Sequence, residues 1–272
     1  MADDTVTKTA ELGSLDGQIA PSDDLAIPVT DEGLLRGDGA FEVIRVYDGT
    51  AFALTDHLDR LERSGANLRL PEVFRSELES EIPQLLDARG GSDFDGSLRV
   101  VITRGGRRIL LTEPAPPKPA GVRLGIVTYA PTRVLDGVKS LSYAANMLCT
   151  RLAQERGFDE ALLVTPHGRA LEAPTSTLFW VDTDGALCTP PLDDHILASI
   201  TRARLIELTE VHEQSCTMDD VRAADEAFLA STVREVQPVS VIDDREFPGA
   251  RPLTLAAAEA FRERVQAELA AD

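Results

Sequence analysis

The chain has 272 residues, 43% of them hydrophobic and 27% charged, a composition that excludes a disordered or fibrous protein and leaves room for one large domain or two small ones. A net charge of −19 argues against nucleic acid, which needs a basic surface, and against docking on anionic membranes. Of the 27 basic residues only three are lysines, Lys8, Lys118 and Lys139, so chemistry that requires a lysine has three candidates.

The first dozen residues are polar and expected to fray. An Asp16-Gly17 turn opens the structured text, and 41–47 is β-rich up to a second turn, Asp48-Gly49. Helices are expected over 56–68, with Leu58, Leu61 and Leu68 on the apolar side, and over 77–88, stopped by Gly90-Gly91. Residues 99–103 read as a strand entering the turn Arg104-Gly105-Gly106-Arg107. Then Pro114, Pro116, Pro117 and Pro119 fall within six residues, which neither a helix nor a central strand tolerates. This stretch places an N-terminal α/β domain over 1–113, a linker over 114–121 and a C-terminal domain over 122–272.

The second half restarts with a strand over 122–129 and a helix over 143–156 closed by Gly157. Strands follow over 160–165 and 177–181, then a helix opening near Ile200-Thr201. A short strand over 227–230 leads into Ser231-Thr232-Val233, and 254–270 is an alanine-rich amphipathic helix. Cys149, Cys188 and Cys216 are odd in number and far apart, so they indicate neither a disulfide framework nor a metal site. His57, His167, His195 and His212 form no ligand pair, and no metal is expected. The chain opens without the basic and apolar regions of a signal peptide, and a cytoplasmic protein is expected.

Lysine supports Schiff-base chemistry when burial or nearby positive charge keeps its amine neutral. Lys8 sits in the polar opening and Lys118 in the proline connector, where neither desolvation nor fixed geometry is expected. Lys139 lies after a strand and a turn and just ahead of a helix.

The text around it, Lys139-Ser140-Leu141-Ser142-Tyr143 with Asn146, then Gly157-Phe158-Asp159-Glu160-Ala161-Leu162-Leu163, Gly168 and Glu172, resembles the class IV pyridoxal-phosphate enzymes. That family holds branched-chain aminotransferases, D-amino acid transaminases, R-selective amine transaminases and aminodeoxychorismate lyases. Further blocks follow in the family's order: the run 37–49, His57-Leu58-Asp59-Arg60-Leu61 with Ser64 and Ala66, Ser199-Ile200-Thr201-Arg202, and the run 231–239. The resemblance covers roughly residues 16–238. It implies the two-domain α/β architecture of fold type IV, with a smaller N-terminal and a larger C-terminal domain. It further implies pyridoxal phosphate in the cleft between them and a homodimer.

By this resemblance Lys139 is the catalytic residue, the amine that binds the cofactor and moves the substrate's Cα proton. Glu172 pairs with the pyridine nitrogen, and Tyr143 reaches the phenolic oxygen. Arg60, Ile200 and Thr201 at a helix start, and Thr232 and Val233 in a turn, hold the phosphate. The family's usual asparagine is Thr177 here, and serines stand where glycines usually precede Ile200 and Thr232. Substrate contacts are expected from Phe41, from Arg36 and from Arg107, which with Arg104 and Arg108 flanks a glycine pair.

The N-terminal block and that glycine turn favour amino transfer from a D-amino acid, or an R-amine, to a 2-oxo acid. Aminodeoxychorismate lyase is the alternative. Branched-chain L-amino acid transfer is disfavoured because a glycine pair and asparagine do not follow Lys139. A catalytically dead binding or scaffold homologue is disfavoured by the retained Lys139 and Glu172.

Overall fold

The computed structural model describes residues 11–247 and 249–271; Lys8 and the polar stretch before residue 11 lie outside the described residues. The N-terminal half supplies β1 (Leu12–Leu15), β2 (Gln18–Pro21), β3 (Gly39–Tyr47), β4 (Thr50–Ala51), β5 (Gly96–Thr103) and β6 (Arg108–Pro114). They form a six-stranded antiparallel sheet in the order β2-β1-β6-β5-β3-β4. Helices α1 (Glu32–Arg36), α2 (Leu54–Leu68) and α3 (Arg75–Arg89) accompany it.

Successive side chains of a strand point to opposite faces, and β3 uses both. Ala40, Ile44 and Val46 join a core with Leu58 and Leu61 of α2 and Leu78, Ile82 and Leu85 of α3. Phe41 and Val43 face the other way and line a cavity. Both faces are thus committed, which is why the strand reads as a nearly continuous apolar run.

Some of this sheet departs from the sequence expectation. Leu12 belongs to β1 rather than to a frayed end, and its N–H donates to Thr112 Oγ1 at 3.1 Å. Strand β6 follows the arginine turn and takes in Pro114, which pairs opposite Gly96 as the last residue of the strand. A proline is tolerated there because the ladder ends with it. Residues 115–121 then run without regular structure.

The second half forms β7 (Val122–Thr128), β8 (Glu160–Val164), β9 (Arg169–Ala170), β10 (Glu172–Ala173), β11 (Ser176–Val181) and β12 (Leu187–Thr189). It continues with β13 (Val211–Glu213), β14 (Cys216–Thr217), β15 (Glu226–Ser231), β16 (Glu235–Ile242) and β17 (Arg245–Glu246). These eleven strands join in the order β13-β12-β11-β15-β16-β7-β8-β9-β14, with β10 on β11 and β17 on β16. Its helices are α4 (Ala144–Glu155), α5 (Ile200–Leu208), α6 (Met218–Ala223) and α7 (Pro252–Leu269). The two sheets and their helices make the mixed α/β architecture expected from the sequence.

Helix α4 has Tyr143 at its N-cap and ends before Gly157, whose φ of 86° is the left-handed turn that favours glycine. Strand β16, not anticipated from the sequence, contains Pro238, and β7 begins to pair with it only from Val239. Phe179 and Phe228 stack at 4.7 Å across β11 and β15 and share a core with Phe261 of α7. Trp180, Cys188 and Cys216 lie in a separate core with Leu124 and Leu162. All three cysteines are free and buried. Among the described residues, no helix is long and apolar enough to cross a membrane.

Candidate active site

A cavity of about 710 Å³ is lined by residues from both halves of the chain, within the size range of small-molecule sites. From the N-terminal sheet come Phe41 and Val43 of β3 and Arg99 of β5. The β3–β5 register sets Arg99 directly opposite Val43, so the two side chains share the cavity face.

Glu42 points the other way, to α2. Its carboxylate accepts from Arg60 Nε at 2.8 Å and Arg60 Nη2 at 2.6 Å, and its Oε2 lies 2.8 Å from His57 Nδ1. Glu42 and His57 are fully buried. Burial first pushes the His57 imidazole down, so a neutral His57 donates its Nδ1–H to the carboxylate. Burial opposes the charge on Glu42 too, yet Arg60 outweighs it and holds the carboxyl at about 2. Arg60 also donates Nη1–H to the Ala198 carbonyl at 3.0 Å and lines the cavity. A guanidinium is thereby fixed beside the N-terminus of α5.

Lys139 arrives on a segment that docks against the start of β3. Phe41 N–H donates to the Lys139 carbonyl at 3.0 Å, Leu141 N–H to the Gly39 carbonyl at 2.9 Å, and Lys139 N–H to Ser64 Oγ at 3.1 Å. Gly39 permits this approach, because a Cβ there would strike the Leu141 side chain as well as the Ile102 carbonyl oxygen of β5. The half-buried Lys139 ends with Nζ 4.3 Å from the centre of the Phe41 ring and 5.7 Å from that of Tyr143. Burial, opposed by Glu42 and aided by Arg60, pulls its amine down to about 8.

The facing wall comes from the second sheet. Burial raises the Glu172 carboxyl to about 8, partly countered by the Leu197 N–H, which lies 3.3 Å from Glu172 Oε1. Tyr143 donates its hydroxyl to the Pro174 carbonyl and packs edge-on against Phe41 at 5.3 Å. Ser176 Oγ and Thr177 Oγ1 are buried without a partner, on residues that line the cavity. Ser199 caps α5 through its Oγ, which accepts from Arg202 N–H at 3.3 Å. Thr232 and Val233 complete that side.

The cavity therefore gathers Phe41, Arg60, Lys139, Tyr143, Glu172, Thr232 and Val233 from distant parts of the chain. Ile200 and Thr201 begin α5 and are buried just behind Ser199, which takes the lining position. Arg36 is exposed and pairs with Glu32, and Arg107 pairs with Asp16 at 2.6 Å; neither lines this cavity. Arg104 and Arg108 are held by Asp38 and Glu81. Sequence reading missed Arg99 and Glu42, whose signal was a charge inside an apolar strand. It also missed Arg234, which lines the cavity beside the Thr232-Val233 turn.

Residues 39–242 match the sequence profile of the family described as Amino-transferase class IV. A Methanocaldococcus jannaschii protein provisionally named a branched-chain-amino-acid aminotransferase is 34% identical over 85% of this chain and 88% of its own length. The D-alanine aminotransferase of Bacillus licheniformis is 30% identical over 87% of this chain and 90% of that protein. A solved fold IV-transaminase from Curtobacterium pusillum superposes with a TM-score of 0.81 at 30% identity, covering 92% of this chain and 98% of its own. The chain belongs to the class IV aminotransferases, enzymes that depend on pyridoxal phosphate.

Proposed function

We propose that this enzyme moves the amino group of a D-amino acid to a 2-oxo acid, with Lys139 as the catalytic residue. The observation that carries the amino-transfer part of this reading is the meeting of Lys139, Glu172 and Arg60 in one cavity, where burial draws the Lys139 amine down to about 8. Such an amine is neutral far more often near neutral pH than a surface lysine, which makes it the better base and nucleophile.

The donor set fits pyridoxal phosphate. Arg60, Ser199 at the N-terminus of α5 and the Thr232-Val233 turn all line the cavity and offer the positive charge and backbone donors that a phosphate requires. Glu172 offers a carboxyl for the ring nitrogen, and the unpartnered hydroxyls of Ser176 and Thr177 offer further polar contacts. When bound, the cofactor supplies the aldehyde that takes up the amino group and the ring that draws electrons from Cα.

The protein's own groups do the rest. Lys139 would take the Cα proton of the substrate and deliver it to the cofactor's former aldehyde carbon, on the other side of the nitrogen being transferred. Phe41 and Tyr143 flank its amine and confine its position. Arg99 is the α-carboxylate anchor: Glu113 holds its Nε and Nη2 at 3.1 and 3.0 Å, and its Nη1 remains for the substrate. The similarity to the Bacillus licheniformis D-alanine aminotransferase supports the D-amino acid donor. A homodimer is part of this reading, and the exposed Leu34 and Leu35 on α1 and Leu148 and Leu152 on α4 supply apolar surface for it.

The test is a half-reaction panel. The cofactor-loaded enzyme is mixed separately with D-alanine, L-leucine, R-phenylethylamine and aminodeoxychorismate, and the cofactor's visible absorbance is followed. D-alanine is expected to discharge the absorbance faster than L-leucine, and a response to L-leucine alone would overturn the assignment.

A further inference from the structure

Two buried residues bracket His195. Asp194 is anchored by Arg169 and by Ser215 Oγ, and Ile196 packs in a core with Cys149, Leu163 and Leu171. Between them His195 adopts φ 64° and ψ 31°, the left-handed backbone that favours glycine and that a side chain adopts only at a cost. That turn carries the imidazole outward, where its Nδ1 lies 2.7 Å from Asp136 Oδ2. A carboxylate only accepts, so the Nδ1–H is the donor. Backbone strain persists where the surroundings impose it, and here the strained residue ends on a partner 59 positions away in the chain.

The residues after His195 hold one side of the cavity. Leu197 N–H lies 3.3 Å from Glu172 Oε1, the Ala198 carbonyl accepts from Arg60 at 3.0 Å, and Ser199 caps α5. Asp136 belongs to the segment 130–138, which leads into Lys139 and contributes Leu135, Asp136 and Val138 to the cavity lining. The N–H groups of those same three residues donate to carbonyls three positions back, within the segment. Among the described residues, the Asp136–His195 bond is the one hydrogen bond that ties 130–138 to another part of the chain. The two side chains are 43% and 24% exposed, which sets the bond at the rim between cavity and solvent. Lys139 is secured separately, by its backbone bonds to Phe41 and Ser64. The segment can therefore swing from the cavity without displacing the lysine.

We propose that the Asp136–His195 hydrogen bond is a clasp, with His195 as a positioning residue, that keeps 130–138 closed over the cavity and retains the cofactor in its amine form, pyridoxamine phosphate. The cofactor's aldehyde carbon carries either the Lys139 nitrogen or the amino group taken from the substrate, so halfway through each turnover the link to Lys139 is gone. Retention then depends on the phosphate contacts and on closure. This rests on the reading in which Arg60 and Glu172 hold the cofactor; the identity of the amino donor does not enter.

A gate slows entry and exit alike. The test measures, by the fluorescence of pyridoxamine phosphate, how fast it binds to the cofactor-free enzyme and how fast it escapes from the loaded one. His195→Gly removes the clasp and suits the left-handed backbone, so the fold is not put at risk. Both rates should rise roughly 3–10-fold, as the loss of one hydrogen bond implies, with the dissociation constant little changed. Asp136→Ala should act in the same way, and Asp136→Asn, which keeps an acceptor oxygen, should stay near the wild type. The double variant Asp136→Ala/His195→Gly should be no faster than either single one. Unchanged rates in His195→Gly overturn the proposal. So does escape that quickens without faster binding, which marks a direct contact instead of a gate. Arg60→Gln separates this proposal from the reading beneath it. Wild-type retention of pyridoxamine phosphate by that variant brings down the cofactor site and the clasp with it, whereas weakened retention there and unaltered rates in His195→Gly sink the clasp alone.

Discussion

Glu42 grips Arg60 at two points inside the protein, Oε1 to Nε at 2.8 Å and Oε2 to Nη2 at 2.6 Å, with neither side chain more than 5% exposed. The pair joins β3 to α2 and sets the guanidinium at the cavity before any ligand arrives. Preorganisation of this kind reduces what binding must spend on ordering.

Replacing Glu42 by Gln leaves Arg60 as an uncompensated buried charge and should cost about 3–5 kcal/mol of stability. The pH dependence follows from the same pair. The folded Glu42 carboxyl is depressed from 4.5 to about 2, so its stabilising contribution is complete above 4.5 and disappears as pH falls toward 2. Urea melts across that range should show a steep acid limb in the wild type and a shallower one in Glu42→Gln.

Arg60→Gln should weaken cofactor binding by about 10–100-fold through loss of a charge-assisted contact to phosphate. Equilibrium dialysis of pyridoxal phosphate measures this directly, and unchanged retention would remove Arg60 from the phosphate site. Glu42→Gln should weaken binding in the same direction, because Arg60 then loses its fixed orientation.

The Lys139 amine, lowered from 10.5 to about 8, becomes neutral as pH rises through that value. The rate at which cofactor-free enzyme captures pyridoxal phosphate should therefore climb with pH and level off just above 8. A rate that continues to climb toward 10.5 would mean that the cavity does not lower this amine. Lys139→Ala should bind cofactor reversibly and transfer no amino group.

Arg99→Gln should reduce kcat/KM for an amino acid by roughly 10–100-fold, mostly through KM, because the anchor is used in both the ground state and the transition state. An R-amine without a carboxylate should lose far less. Equal losses for both donors would make Arg99 a structural residue.

Much of this arrangement was legible in the sequence, for definite reasons. The scarcity of lysine and the position of Lys139 between a turn and a helix marked it, and the structure sets it in the cavity with Glu172. Helix α2 showed its apolar residues at helical spacing, and its observed span, Leu54–Leu68, begins two residues before the expected start at 56. What was missed depended on pairing across the chain. Arg99 reads as a stray charge until the β3–β5 register sets it opposite Val43. Glu42 reads as surface until α2 packs His57 and Arg60 against it. Strand β6 runs into Pro114, the first residue of the proline stretch taken as the boundary, and β16 contains Pro238; a proline is compatible with a strand only where its neighbours leave its nitrogen unpaired, which the sequence does not show. Arg36 and Arg107 carried the charge a substrate contact needs, but local acids, Glu32 and Asp16, take them up.

The most direct test of the central claim is the products formed from D-alanine and 2-oxoglutarate. Purified, cofactor-loaded enzyme should release pyruvate and glutamate in equal amounts, and Lys139→Ala should release neither. Pyruvate formed from aminodeoxychorismate while D-alanine and 2-oxoglutarate stay untouched would contradict the account and make the enzyme a lyase.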